Sequence, residues 1–335
     1  MSNATPSASP TMQAVVWHGG DRVTVEKVTR PGVMPGRALI DVAFGGICGT
    51  DLHICSGQHP RAKPGLILGH EIVGWLNHDI DSMAKGTPVF INPLIFCAQC
   101  IPCKKGLTHV CDKLGLYGID QPGGLAEQVS VPLECLVPLS KTLDMKKAGL
   151  IEPLAVTIRA VKRSGMKKGD VVHIIGAGPI GLLVALSAEH FGAGQITISE
   201  PNTQRAETAK SFGFEIFNGE PDRRAEVLFD CTGHPSVSET TTKWVATGGT
   251  LMVVGVYPGV VRINLQEVLF RELNIQSTRV YVDSDIKKSI EIITADGIPG
   301  IEKIVTAVVP LSQGPEAVTK LKSGQELKVL VQGKA

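Results

Sequence analysis

The chain carries no excess of charge of either sign, since 33 lysines and arginines face 32 aspartates and glutamates for a formal net of +1. Without that excess, and with no long like-charge run, neither a nucleic acid nor an anionic membrane surface has an electrostatic handle on it. Long hydrophobic runs are missing too: every apolar stretch is broken by charge or glycine before it reaches the roughly 18 residues of a membrane helix. Met1 to Thr11 is rich in Ser, Pro, Ala and Asn but lacks the basic start and apolar middle of a signal peptide, so it reads as a disordered tail. Nor are disulfide staples needed, because 335 residues can bury a hydrophobic core and imply two domains rather than one. A reducing cytoplasm suits such a chain.

Cysteine is present, but unevenly. Four of the eight fall at Cys97, Cys100, Cys103 and Cys111, in the spacing C-x2-C-x2-C-x7-C, while Cys48, Cys55, Cys135 and Cys231 are scattered. Intervals this short pair badly as disulfides. Four thiolates, in contrast, close a tetrahedral zinc shell with no open position. A structural zinc is therefore expected to hold the lobe between Ile91 and Lys113 in place of a core, and to do no chemistry itself.

The middle of the chain reads as strand, glycine turn and helix. Val171 to Ile175 is a short apolar run, followed by Gly176-Ala177-Gly178-Pro179-Ile180-Gly181 and a helical stretch to about Phe191. In a dinucleotide fold Gly176 permits the tight turn, Gly178 lets backbone approach a pyrophosphate, and Gly181 lets the helix pack closely. A second strand, Gln195 to Ser199, ends in Glu200, where an acid takes the ribose hydroxyls of the adenosine. That carboxylate would repel a 2′-phosphate and so favours NAD over NADP, with Arg205 close enough in sequence to temper the preference. A helix from about Asn202 to Phe212, strands at Val227 to Phe229 and Leu251 to Val256, and a helix near Val237 to Val245 complete a parallel, doubly wound sheet. Too few residues separate Phe217 from Val227 for a crossover helix, so a loop or single turn is expected there.

From Gln13 to Val137 the apolar runs are short and glycine and proline recur, which indicates a β-rich domain of irregular barrel type. Its polar groups fall in separate segments: Cys48-Gly49-Thr50-Asp51-Leu52-His53, which reads as turn-like, Gly69-His70-Glu71, and, just before the nucleotide domain, Glu152-Pro153. One sulfur, one imidazole and one carboxylate from these would make a three-ligand zinc site whose fourth position is free for water or an alcohol oxygen.

These segments, with Gly123-Gly124-Leu125-Ala126-Glu127 leading to Val131-Pro132, with Glu152-Pro153-Leu154-Ala155-Val156 and with the glycine motif, resemble in kind and order those of the zinc-dependent medium-chain dehydrogenases/reductases, the alcohol dehydrogenase superfamily. Glu152 stands where classical alcohol dehydrogenases carry a cysteine, which is similar to the polyol, sorbitol, threonine and butanediol dehydrogenase branch. The resemblance implies an α/β protein in which an irregular β-rich GroES-like catalytic domain (residues 12–154 and 294–335) joins a Rossmann doubly wound coenzyme domain (residues 155–293). It also implies two zinc ions per chain, NAD, and oxidation of a secondary hydroxyl of a polyol or sugar-like substrate. Cys48 and His70 would hold the catalytic zinc. Glu71 and Glu152 both remain candidates for the third ligand, because in sorbitol-type relatives the acid beside the histidine binds directly and the other acts through water. Thr50 and His53 would carry the proton, by way of the nicotinamide ribose, to solvent. Pairing of nucleotide sheets through Leu251 to Tyr257 and Leu273 to Ile275 would give a homodimer or homotetramer.

Departures from the pattern lie at Gly86-Thr87-Pro88-Val89, where relatives have Gly-Asp-Arg-Val after a longer excursion, and at Arg279-Val280-Tyr281, where sorbitol-type enzymes place Arg and Tyr side by side. Displacing the arginine by one residue turns its side chain to the other face of an extended segment, which weakens a simple sorbitol assignment. A threonine-type amino-acid dehydrogenase, an acetoin or butanediol dehydrogenase, and a non-catalytic dinucleotide-binding regulator are the alternatives.

Overall fold

The computed structural model describes residues 10–80, 82–217 and 223–334. Most of the expected N-terminal tail lies outside them, as does the centre of the expected loop after Phe217, and Thr11 already opens a strand, Thr11–Trp17. Packing divides the chain into one unit that runs to Leu150 and resumes at Val305, and a second from Ile151 to Ile304.

The first unit is built around the long strand Arg37–Gly46, which pairs antiparallel with Gln128–Pro132, Glu71–Leu76 and Lys328–Gln332 within a seven-stranded sheet. Its alternate residues Ala38, Ile40 and Val42 meet Ile72, Leu76, Val89, Ile91, Val129 and Val131 in one core cluster, the period-2 pattern of a strand with one face inward. Register then places Gly46 opposite Glu71, and the return strand sets Leu330 against Gly46 on the other side. A three-stranded sheet, Val23–Thr29, Thr11–Trp17 and Leu66–Ile67, completes the β-rich body.

One segment differs from its sequence reading. Cys48 to His53 is not turn-like: Gly49–Cys55 is a helix, with Cys48 as an extended N-cap whose N–H donates to Asp51 Oδ2 at 2.8 Å. Asp51, Ile54 and Cys55 are its buried stripe. Two turns are too few for hydrophobic periodicity to declare itself, and it is the cap that starts this helix.

The second unit is the expected doubly wound domain. Its six-stranded parallel sheet runs in the order Glu215–Phe217, Gln195–Ser199, Val171–Ile175, Ala225–Asp230, Val245–Val253, Asn274–Ser277, which is the Rossmann order. Its limits differ from those read in the sequence, at 150/151 and 304/305 rather than 154/155 and 293/294. The helix containing Glu152, Ile151–Ser164, packs on Pro179–His190 and Asp283–Thr294, and the short 3-10 turn Ile301–Ile304 packs on Pro179–His190. Ser289 Oγ ties the start of that helix by donating to the Ile151 carbonyl at 2.8 Å. No helix among the described residues is long and apolar enough to cross a membrane.

Candidate active site

Two strands and one short helix of the first unit bring together Cys48, His70 and Glu71, whose Sγ, ring nitrogen and carboxylate oxygen all lie within 4.8 Å of one another. Asp51 joins the two segments that carry them. Its Oδ2 accepts the Cys48 N–H at 2.8 Å and its Oδ1 accepts the Gly69 N–H at 3.2 Å, so one buried carboxylate fixes the backbone of Cys48 and of the residue before His70. Burial raises the pKa of Asp51, the neighbouring His70 ring and the two N–H donors oppose that rise, and the charge of Glu71 adds to it.

Glu71 has a partner that sequence reasoning missed. Lys328, from the last strand, pairs through Nζ with Glu71 Oε2 and donates to the Ile47 carbonyl at 3.0 Å, and the side chains of Glu71 and Lys328 are each only 2% exposed. The Glu71 carboxylate reaches this position across Gly46, where an added Cβ would stand 2.0 Å from Oε2. The available signal was a lysine between Leu327 and Val329 in an otherwise apolar strand, since a fully buried lysine is rare without a partner.

A thiol, an imidazole and a carboxylate converging in this way fit zinc with one position open, the arrangement that leaves room for a substrate oxygen. Glu152 belongs to the second unit, where it is buried in the first turn of the helix Ile151–Ser164. Thr50 and His53, three apart on the helix Gly49–Cys55, lie on one side of it. Thr50 Oγ1 is 3.9 Å from Cys48 Sγ, whereas His53 is exposed, its Nδ1 3.2 Å from Gln58 Oε1.

The four-cysteine lobe forms a second cluster. No disulfide links these residues, and all four Sγ atoms lie within 4.8 Å of one another. The separations Cys97–Cys111 and Cys100–Cys111 are 3.5 and 3.8 Å, close to the edge of about 3.8 Å that a tetrahedron with Zn–S bonds of about 2.3 Å requires. Backbone N–H groups of Gln99 and Cys100 aim at Cys97 and lower its thiol pKa to about 6, so a thiolate is at hand for a cation. The donor set fits a structural zinc.

In the second unit Gly178 is the extended N-cap of the helix Pro179–His190, at the carboxyl end of the strand Val171–Ile175. Glu200 closes the glycine turn from the next strand. Its Oε2 accepts the Ala177 N–H at 2.7 Å and its Oε1 the Asn202 N–H at 2.9 Å, so the acid shapes the loop. The Nε of Arg205 is buried with no hydrogen-bond acceptor among the described residues.

Comparison with known proteins agrees with this anatomy. The Alcohol dehydrogenase GroES-like domain matches residues 34–141 and the Zinc-binding dehydrogenase domain residues 179–295. The 2-dehydro-3-deoxy-L-galactonate 5-dehydrogenase of Pseudoalteromonas atlantica is 32% identical over 89% of this chain and 92% of its own length. The L-galactonate-5-dehydrogenase of Escherichia coli K12 is 32% identical over 76% of this chain and 80% of its own. Among solved structures, a chain from Sinorhizobium meliloti 1021 bound to NADP superposes with a TM-score of 0.90 at 28% identity, covering 97% of this chain and 100% of that one.

Proposed function

We propose that this chain, which belongs to the zinc-type medium-chain alcohol dehydrogenases, oxidises a secondary hydroxyl of a polyol or sugar-like substrate and passes the hydride to a nicotinamide cofactor, NAD in preference to NADP. The observation that carries this reading is the convergence of Cys48, His70 and the Glu71 carboxylate at one place in a chain whose second unit has the Rossmann strand order. Zinc, when bound, supplies a Lewis acid that lowers the pKa of the substrate hydroxyl. Cys48 and His70 are its first two protein ligands, and Glu152 is the third in the resting enzyme, a reading supported by the engagement of one Glu71 oxygen with Lys328. The Thr50 hydroxyl takes the proton, and the exposed imidazole of His53 releases it to solvent, a task suited to its near-neutral pKa. Gly176, Gly178, Pro179, Ile180 and Gly181 would receive the pyrophosphate, and Glu200 and Arg205 would hold the adenosine ribose.

Exposed apolar side chains gather around the edge strand Asn274–Ser277 of the second unit, with Val256 at 79%, Leu269 at 72%, Phe270 at 74% and Ile275 at 43% exposure. They support a homodimer or homotetramer formed through that edge and not by pairing of Leu251 to Tyr257, since Val245–Val253 lies inside the sheet and Leu251 and Leu273 are buried, and sedimentation showing only a 35.5 kDa species at micromolar protein would refute it. Eight free cysteines support a reducing cytoplasm, which fractionation of the producing cells would check. The central test is a screen of polyols, sugar acids and vicinal diols with NAD and NADP, followed at the absorbance of the reduced cofactor. Absence of turnover with every member by the zinc-loaded protein would favour a non-catalytic dinucleotide binder.

A further inference from the structure

Building on that reading, we propose that the substrate is a polyhydroxy acid, and that its carboxylate is received by a basic recess of the first unit beside the metal ligands, with Lys63 as the recognising cation. The recess has a volume of about 320 Å³ and lies between two segments, a loop carrying Arg61 and Lys63 that leads into the strand residue Leu66, and a loop carrying Ile119, Asp120 and Gln121. Both loops adjoin the metal-ligand segment. A Cβ added at Gly118 would stand 2.4 Å from the Gly69 carbonyl oxygen and 2.9 Å from the His70 amide nitrogen, so the second loop rests directly on the residues that present His70. The first loop is organised by His59, whose Nδ1 accepts the N–H of Arg61 at 3.4 Å and of Ala62 at 3.3 Å. Burial and then the charge of Arg61 lower the pKa of His59, Asp120 opposes them, and His53 and His70 act in the same direction as Arg61.

The charges in the recess select the kind of anion. Arg61 is already committed, with Nη2 3.4 Å from Asp120 Oδ2 and Nη1 donating to the Leu114 carbonyl. Lys63 lines the same recess, is exposed, and makes no ion pair among the described residues. Asp120 thus balances Arg61 and leaves the single positive charge of Lys63, which suits a carboxylate. A phosphomonoester, which carries about −1.5 to −2 at neutral pH, would meet the same lone cation and the Asp120 carboxylate as well. Leu66 and Ile119 offer an apolar wall to the carbon chain, and a compact ammonium on a flexible stem can follow a terminal carboxylate without fixed bidentate geometry.

The test compares gluconate, galactonate and idonate with sorbitol, galactitol and iditol, and with the 1-phosphates of those hexitols, as kcat/KM of the zinc-loaded enzyme at low and high salt. At least one hexonate is expected to exceed its matching hexitol by about fivefold or more at low salt, and the ratio to fall as salt screens Lys63. Lys63→Gln should cut that ratio by about two- to fivefold, the range of one exposed charge contact, and Lys63→Glu should cut it further. A ratio indifferent to salt and to both substitutions overturns the inference while leaving the polyol reading intact, and a preference for the hexitol phosphates overturns the commitment to a carboxylate. If neither hexonates nor hexitols are oxidised, the functional reading itself fails. Equilibrium dialysis of labelled gluconate, galactonate and idonate at low salt then decides the recess: binding lost in Lys63→Glu upholds it, and binding absent or unchanged overturns it.

Discussion

Replacing Lys328 by methionine removes the counter-ion of a carboxylate that cannot reach water. Both partners are 2% exposed, so Glu71 must either remain charged in a dry site or take up a proton. Breaking a buried pair from one side costs about 3–5 kcal/mol. The lost hydrogen bond to the Ile47 carbonyl, 3.0 Å long in the native protein, is part of that cost. For a unit of this size about 1 kcal/mol corresponds to roughly 2–4 °C, so Lys328→Met should lower Tm by roughly 6–20 °C. Adding Glu71→Gln removes the stranded charge and should restore more than half of the loss, because the pair as a whole is worth much less than the cost of splitting it. Melts should be followed by tryptophan fluorescence on chelator-treated protein, so that metal release does not mask the effect; Trp17 and Trp75 lie in the first unit. Zinc content should be measured in parallel, and it should not fall in Lys328→Met, since the proposed ligands Cys48, His70 and Glu152 are untouched. A Tm within about 2 °C of the parent in the metal-free protein, or a double variant as unstable as the summed single variants, would refute the reasoning.

Metal analysis should give close to two zincs per chain, and Cys100→Ser should lose one of them and lower Tm before it changes turnover; an intact lobe containing disulfides and no metal would sink that assignment. Glu152→Ala should lose the catalytic zinc and retain the structural one, whereas Glu71→Ala should keep most of its metal and slow turnover by about 10–100-fold, as for a partner acting on a ligand from outside the bond. An active, fully metallated Glu152→Ala enzyme would reverse the two roles. His173 is buried between Thr197 and Ser199, and burial lowers its pKa to about 4. Because the unfolded chain binds this proton first, the stability it contributes is complete above the ordinary pKa near 6.5 and is lost as pH falls towards 4, by at most about 3 kcal/mol. Replacing His173 by Asn should flatten the decline in unfolding free energy between those pH values, and an unchanged slope would contradict the assignment.

What could be read in advance was what is local. The glycine turn lies between its own strand and helix, so the order of residue types from Val171 to His190 displays the whole motif, and the four cysteines of the lobe lie close enough for spacing to exclude other partners. The helix Gly49–Cys55 was hidden because its start depends on one aspartate bonding back to Cys48. Lys63 and Arg61 sit in a loop without periodicity, and nothing in their spacing indicates that Asp120, far along the chain, neutralises only one of them.

Lys328 shows why the remainder was out of reach. Its partner lies 257 positions earlier, and the two meet only because Arg37–Gly46 pairs with Glu71–Leu76 on one side and Lys328–Gln332 on the other. A slip of one residue in either register would turn Glu71 or Lys328 to the opposite face and leave a buried charge alone. Register here is therefore enforced by electrostatics as well as by the apolar core, and Gly46 is the point at which both pairings leave room for the carboxylate. The strand that supplies Lys328 follows the second unit in the chain, so the environment of Glu71 cannot be completed until that unit has been synthesised. A contact of such long sequence separation carries the loop-closure entropy of the intervening chain, a cost that the buried pair must offset before it forms.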